Sequence, residues 1–207
     1  MSDSGNKQAG ISREMVMMVV ALTLVTAIAA ALLGLTDQVT REPILEAQRA
    51  ALQRSLGQVL PAHANVPMDD VIQLGEGDAS TPFYVARDAN GVVLALAWEV
   101  VAPDGYSGSI RILMGVLPDG SLHAVRITDH RETPGLGDGI TRNRKWIDFF
   151  TGKSLAGTHW AVKKDGGEFD QFTGATITPR AVVKAVHRGL GLFAAQRDAL
   201  LARAAGK

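Results

Sequence analysis

The chain has 207 residues, and 21 Lys and Arg residues balance 21 Asp and Glu residues, so its formal net charge is zero. This balance excludes the basic surplus with which proteins usually bind DNA or RNA. The chain has no cysteine, which excludes disulfides, thiolate metal sites, iron–sulfur clusters and thiol nucleophiles. Hydrophobic residues make up 46% of the chain and charged residues 20%, a composition typical of folded proteins rather than disordered ones.

The first predicted element is a membrane span at residues 15–35, which contain no charged residue. A helix of this length is roughly 31 Å long, close to the ~30 Å thickness of a bilayer core. A cleaved signal peptide is the alternative, although its apolar region is shorter, about 7–15 residues. Residues 1–14 are a polar tail in this interpretation. Basic residues flank the span on both sides, so the positive-inside rule does not decide its orientation.

A helical stalk is predicted to follow at residues 36–61. Pro43 suits the first turn of a helix, because the proline nitrogen has no hydrogen to leave unpaired. Apolar residues then recur at near-helical spacing until Pro61. The predicted stalk helix therefore runs from about Pro43 to Leu60.

Residues 62–207 are predicted to form one α+β domain with an antiparallel sheet. Two apolar runs flank Asn90-Gly91, a dipeptide typical of tight β-hairpin turns. A second hairpin is predicted around Asp119-Gly120, with Ile110, Ile112, Met114 and Val116 on one face of its first strand. Runs of strands followed by helices are typical of the α+β class.

Helices are predicted in the last third of this domain. A short helix is expected within residues 142–152, after a glycine-rich loop from His130 to Gly139. A longer helix is expected from Pro179 to about Arg203. Its predicted apolar stripe contains Val182, Val183, Val186, Leu190 and Phe193.

The segment of residues 170–179 carries the clearest functional signal. Thr178 is predicted to be the N-cap of the long helix and Pro179 its first residue. A helix N-terminus presents free N–H groups and positive partial charge, which favour an anion such as phosphate. An ordinary capped helix after a tight turn is the alternative. Hydroxyl-bearing and small residues surround this point: Thr173, Gly174, Ala175, Thr176 and Thr178.

This segment, Asp-x-x-Thr-Gly-Ala-Thr-x-Thr, resembles the flavinylation motif of FMN-binding domains in bacterial redox pumps. The resemblance implies that FMN is joined through its phosphate to Thr178 by a phosphoester bond. It also implies that a separate flavin transferase makes this bond and recognises Asp170. Thr173 and Thr176 are expected to orient the phosphate beside Gly174 and Ala175.

A second block supports the resemblance. His130 and Arg131 precede a Glu-Thr-Pro-Gly-Leu-Gly sequence, which resembles the loop that packs against the isoalloxazine ring in the same family. The resemblance implies cofactor contacts by Glu132, Thr133, Leu136 and Gly137. Glu132 and Thr133 are expected at the polar edge of the ring, and Leu136 at its apolar surface.

Two lysines before the motif complete the predicted cofactor-binding set. Lys163 and Lys164 lie in a Lys-Lys-Asp-Gly-Gly turn, which also matches the family. A cation near a flavin favours its anionic forms, so either lysine is expected to help hold the cofactor. The alternative is a pair of solvated turn residues.

The five histidines lack the His-x-x-x-His spacing of a helical metal site, and no metal ligands are predicted.

Taken with the single span and the stalk, these blocks are similar to the G subunits of the Rnf ion-translocating electron-transport complex. The C subunits of the sodium-pumping NADH:quinone reductase share the domain but usually have longer chains. The resemblance implies a ferredoxin/NAD oxidoreductase-type complex in the bacterial inner membrane, with a cytoplasmic tail and a periplasmic FMN domain. This chain would relay electrons without turning over a substrate of its own, so no catalytic residue is expected.

Two alternatives belong to other functional classes. One is a membrane-anchored flavin-binding sensor or regulator, although such proteins usually append further spans or signalling segments. The other is an assembly subunit without a flavin. Ion passage is expected in other subunits, because a charge-free helix offers no polar pathway.

Overall fold

The computed structural model describes residues 13–75 and 80–206, so the predicted tail lies almost wholly outside the described residues. The chain divides into two compact units, and the second unit begins at Ala51. The elements are α1 (Arg13–Val59), β1 (Val71–Leu74), β2 (Thr81–Arg87), β3 (Val93–Ala102), β4 (Ile110–Val116), β5 (Leu122–Asp129), α2 (Gly139–Arg142), α3 (Arg144–Asp148), a 3₁₀ turn (Lys163–Asp165) and α4 (Ile177–Ala205).

The first unit consists of helix α1 up to residue 50. Its apolar side chains are exposed, and the helix is long and apolar enough to cross a membrane. The hydroxyls of Thr23 and Thr26 donate to the carbonyls of Val19 and Leu22, each at 2.8 Å. These bonds satisfy the hydroxyls inside the helix, as a hydrocarbon environment requires.

Helix α1 is continuous from Arg13 to Val59, so the prediction that a separate helix begins at Pro43 is wrong. A proline inside a helix removes one hydrogen bond and crowds the carbonyl four residues before it. The remaining hydrogen bonds of the helix extend on both sides of Pro43. Pro43 therefore interrupts the backbone hydrogen bonding of α1 locally without ending the helix.

The second unit contains a five-stranded antiparallel sheet in the order β1-β2-β3-β4-β5. Both predicted hairpins are confirmed, because β2 pairs with β3 and β4 pairs with β5. The first turn is closed by Asp88, whose Oδ1 accepts the backbone N–H groups of Asn90 and Val92 at 2.8 Å. Gly91 adopts φ +83°, a left-handed conformation that favours glycine.

Helix α4 packs across one face of this sheet, and its predicted stripe is confirmed as buried. Trp98 of β3 lies between Phe83 and Phe193, with ring centroids 4.8 and 5.8 Å from its own. The opposite face of the sheet is covered by the end of α1. That second cluster consists of Leu56, Val59, Leu60, Ala86, Ala95, Ala97, Leu113 and Ala124.

The segment between the sheet and α4 forms two short helices, where the sequence predicted one. The Trp146 side chain of α3 donates from Nε1 to the carbonyl of Asp170 at 2.7 Å. Its ring also lies 5.3 Å from that of Phe172. These contacts fix the residues that precede α4 against the domain.

We expect Gly115→Ala to destabilise the domain. An added Cβ would lie 1.9 Å from the Val59 carbonyl oxygen, so the end of α1 and the sheet would have to separate. Strain of this kind costs about 1–3 kcal/mol, and circular dichroism melting in detergent should show a lower transition temperature. Gly57→Ala is the matched control, because its Cβ meets no atom within 4 Å. An unchanged transition in Gly115→Ala would contradict the observed packing.

Candidate functional site

The centre of the candidate site is a hydrogen bond between two buried polar side chains. Thr178 lies in the first turn of α4 and has no exposed surface, while Glu132 is 4% exposed. The Thr178 hydroxyl donates to Glu132 Oε2. The other carboxylate oxygen, Oε1, accepts the backbone N–H of Ser107 at 3.0 Å. This arrangement joins α4 to the loop after β5 and to the turn before β4.

The prediction that Thr178 is the N-cap of the long helix is wrong. Helix α4 begins at Ile177, and Thr176 occupies the cap position without a side-chain capping bond. The Thr178 hydroxyl is directed to Glu132 instead of to a backbone N–H of its own helix. Pro179 is the third helical residue, which is tolerated because first-turn N–H groups have no partner in the helix.

Gly137 allows the backbone to approach this pair closely. A Cβ at this position would lie 2.8 Å from Glu132 Oε2 and 2.9 Å from Thr178 Oγ1. Only a residue without a side chain fits there while the hydrogen bond is kept. The loop therefore holds both polar side chains in place through its backbone.

These residues line a pocket of about 290 Å³. Tyr106 and Leu136 are exposed by 69% and 48% and provide apolar surface, as does the exposed Ile177. The first turn of α4 supplies backbone N–H groups without helical partners, which favour an anion. The pocket is lined by Tyr106, Glu132, Thr133, Leu136, Gly137, Gly174, Ala175, Thr176, Ile177 and Thr178.

The pocket fits a phosphate-bearing aromatic ligand. Thr178 lies in the wall of the pocket beside the N-terminus of α4, with its hydroxyl buried against Glu132. Leu136 and Tyr106 offer apolar surface for a flat ring. A phosphate end and a ring end can thus be accommodated by different parts of the same pocket.

The structure brings together eight of the eleven residues predicted at the flavin site or its attachment point. Thr173 is exposed and lines an adjacent open groove, together with Gln171 and Phe172. The eight that line the pocket are Glu132, Thr133, Leu136, Gly137, Gly174, Ala175, Thr176 and Thr178.

The two predicted lysines do not line this pocket. Lys163 Nζ pairs with Asp170 at 2.7 Å, and both side chains are well exposed. The backbone N–H of Lys164 donates to Gln171 Oε1 at 3.3 Å. The described position of these lysines corresponds to the solvated-turn alternative rather than to a contact with the pocket.

A second ion pair ties the 3₁₀ turn to α4. Arg180 donates to the two carboxylate oxygens of Asp165 at 2.6 and 2.9 Å. This hydrogen bonding holds the pKa of Asp165 below its ordinary value and raises that of Arg180. The pair fixes the turn before the motif to the first turn of α4, although both groups lie at the surface.

Sequence reasoning missed Tyr106, Ser107 and Ile177 as site residues. Ser107 donates its backbone N–H to Glu132, 25 residues later, and Tyr106 lines the same pocket, so the role of both depends on folding of the sheet. Ile177 lies between two motif threonines, and nothing in the sequence indicates that this apolar side chain is exposed. Among residues 13–75 and 80–206, no group of three or more potential metal ligands is found.

Two family models match this chain. The model described as an FMN-binding domain matches residues 105–191, which include the pocket and about half of α4. The model described as the RnfG N-terminal region matches residues 12–59, which correspond to α1. Together they cover α1 and the part of the second unit that contains the pocket.

Curated relatives extend the match over nearly the whole chain. The G subunit of the ion-translocating oxidoreductase complex of Pseudomonas aeruginosa is 46% identical over 205 residues, covering 94% of this chain and 95% of its own. The corresponding G subunit of Cereibacter sphaeroides is 44% identical over 187 residues, covering 87% and 85%.

A solved structure agrees at the level of the fold. The crystal structure of Shewanella oneidensis NqrC superposes with a TM-score of 0.50 and 22% identity, covering 69% of this chain and 78% of that one.

We expect Gly137→Ala to disrupt the Thr178–Glu132 hydrogen bond. The added Cβ would contact both side chains at less than 3.0 Å, so the melting temperature should fall by an amount equivalent to about 1–3 kcal/mol. Gly191→Ala in α4 is the control, because its Cβ meets no atom within 4 Å and alanine favours a helix. Equal stability of Gly137→Ala and wild type would show that the backbone is not confined here.

Proposed function

This chain belongs to the family of ion-translocating oxidoreductase complex G subunits, and we propose that it carries one FMN bound covalently to Thr178. Its family and its FMN-binding domain make it a subunit of a membrane electron-transport complex. Its role in that complex is to relay electrons through the flavin. The observation that carries the attachment site is the Thr178 hydroxyl, held in the pocket at the start of α4.

The proposed phosphate position follows from the surroundings of Thr178. The first turn of α4 offers backbone N–H groups and the positive end of a 29-residue helix to an anion at this place. Gly174, Ala175 and Thr176 line the same part of the pocket. Small residues there let a phosphate approach the backbone closely.

The proposed ring position is the outer part of the pocket. Leu136 and Tyr106 offer apolar contact there, and Thr133 offers a polar group for the ring edge. Bound FMN supplies reversible electron transfer, while the protein supplies position and environment. The chain is therefore proposed to turn over no substrate of its own, and Lys163 and Lys164 are not part of the proposed pocket.

The proposed topology places the FMN domain in the periplasm and the N-terminal tail in the cytoplasm. Helix α1 crosses the membrane once through residues 15–35, which carry no charge. Ions are proposed to pass through other subunits, because an apolar helix offers no polar pathway. Those subunits and the membrane are the permanent partners of the chain.

A flavin transferase is the proposed transient partner. Asp170 is 69% exposed in its side chain and lies eight positions before the hydroxyl to be modified. Its backbone is fixed by the Trp146 side chain. An exposed carboxylate on an anchored backbone suits recognition by another protein.

We expect Thr178→Ala to abolish covalent flavin without unfolding the domain. The change removes the hydroxyl and leaves Glu132 without one partner, which costs about 1–3 kcal/mol. In-gel flavin fluorescence of denatured full-length protein, expressed with its transferase, measures attachment. Thr176→Ala is the comparison variant and should keep at least some covalent flavin, because Thr176 lines the same pocket but is not the proposed attachment residue. Fluorescence retained by Thr178→Ala would place the flavin elsewhere.

We expect Leu136→Ala to keep the covalent flavin but change its absorption spectrum and reduction potential. The change removes apolar surface at the proposed ring while leaving Thr178 untouched. Leu155→Ala is the matched control, since Leu155 is also exposed but lines a different pocket. Spectra and potentials identical to wild type would show that the ring does not contact Leu136.

A further inference from the structure

Glu132 is a buried carboxylate with an unusual set of partners. Buried charged groups are normally paired with an opposite charge, yet no ion pair to Glu132 is seen in the described part of the chain. Its oxygens accept from the Thr178 hydroxyl and from the Ser107 N–H. Burying a carboxylate without an opposite charge costs free energy that an apolar side chain of similar size would not cost. A functional role for Glu132 is therefore expected.

The geometry is that of a nucleophile and its base. A threonine hydroxyl is a weak nucleophile unless an adjacent group accepts its proton. Glu132 is within hydrogen-bond reach of that proton, and the hydrogen bond points the proton at Oε2. Among the pocket-lining residues within 13–75 and 80–206, the only other ionisable side chain is that of Tyr106, which is exposed.

His130, two residues before Glu132, accepts the backbone N–H of Glu132 on its Nδ1 atom, with an N–N distance of 3.2 Å. A Cβ at position 137 would lie 2.8 Å from Glu132 Oε2 and 2.9 Å from Thr178 Oγ1. Glycine at this position therefore lets the loop backbone pass close to the carboxylate and the hydroxyl while they remain in contact.

We propose that Glu132 accepts the proton of the Thr178 hydroxyl when the phosphoester to FMN is made. This inference rests on the proposed attachment of FMN at Thr178. The donor is a phosphoanhydride of FMN. The bond from Thr178 Oγ1 to phosphorus forms, the bond from phosphorus to the leaving phosphate breaks with its electron pair, and the hydroxyl proton moves to Glu132 Oε2.

The same proton has a use after the bond is made. The phosphoester carries a negative charge, and the modified Thr178 no longer has a hydroxyl hydrogen to donate to Glu132. Two anions in contact in a buried site repel each other strongly. A protonated Glu132 instead donates a hydrogen bond to the ester or phosphate oxygen, so the proton stays on Glu132 in the modified protein.

The test measures the rate of flavin attachment to purified full-length apo-protein in detergent, with the transferase and FAD, which is such a phosphoanhydride. Covalent product is followed by in-gel fluorescence and intact mass. Glu132→Gln keeps the size of the side chain but accepts a proton poorly, so we expect attachment to slow at least about 100-fold. Asp138→Asn is the control, because Asp138 bonds Gly135 and Arg142 in the same loop without touching Thr178.

Chemical rescue separates proton transfer from a structural role. Glu132→Ala leaves room for a small carboxylate, and formate should restore part of its attachment rate while formamide should not. This arm also decides the question if Glu132→Gln fails to fold. Equal rescue by both compounds, no rescue by formate, or a wild-type rate in Glu132→Gln would each overturn the proposal.

Infrared difference spectra test where the proton goes. Flavinylated wild-type protein minus apo-protein should show a carboxylic acid carbonyl band that shifts in D₂O and persists in Asp138→Asn. Its absence would overturn retention of the proton on Glu132. Failure of the wild-type protein to acquire any covalent flavin would instead overturn the attachment at Thr178 and with it the proposed function.

Discussion

The packing of α4 across the sheet positions everything at the site. The helix lies so close to β3 and β4 that a Cβ at Gly189 would come within 2.5 Å of Met114 Sδ. Phe193 stacks on Trp98 in the middle of this interface. Because the helix axis is fixed over the core, its first turn is held at one place beside the loop after β5. Thr178 reaches Glu132 only because of this alignment.

Features set by neighbouring residues could be predicted from the sequence. The turns at Asn90-Gly91 and Asp119-Gly120 and the stripe of α4 depend on local conformation and periodicity, and the structure has all three. Strand β1 was not predicted, since its four residues are held by pairing with β2 rather than by their own pattern. The continuity of α1 through Pro43 was also missed, because a proline is favoured at a helix start and disfavoured in a helix interior, where Pro43 is found.

The sequence identified most residues of the site, but not which of them contact each other. The motif identified Thr178 and its small neighbours, because their spacing is local. The partner of its hydroxyl is 46 residues away in the chain, and only the fold brings Glu132 to it. The sequence also predicted that Lys163 or Lys164 helps to hold the cofactor, whereas neither lines the pocket and Lys163 pairs with Asp170 at the surface.

The pocket separates its polar and apolar groups by depth, and this separation suits an electron relay. Glu132 and Thr178 are buried and hold the proposed phosphate end in one place. Leu136, Tyr106 and Ile177 are exposed, so a ring resting on them has one side open to the surroundings. The proposed covalent link to Thr178 would make it unnecessary for the pocket to enclose the ring. In this proposal the ring stays accessible to a neighbouring electron carrier while the phosphate end remains attached.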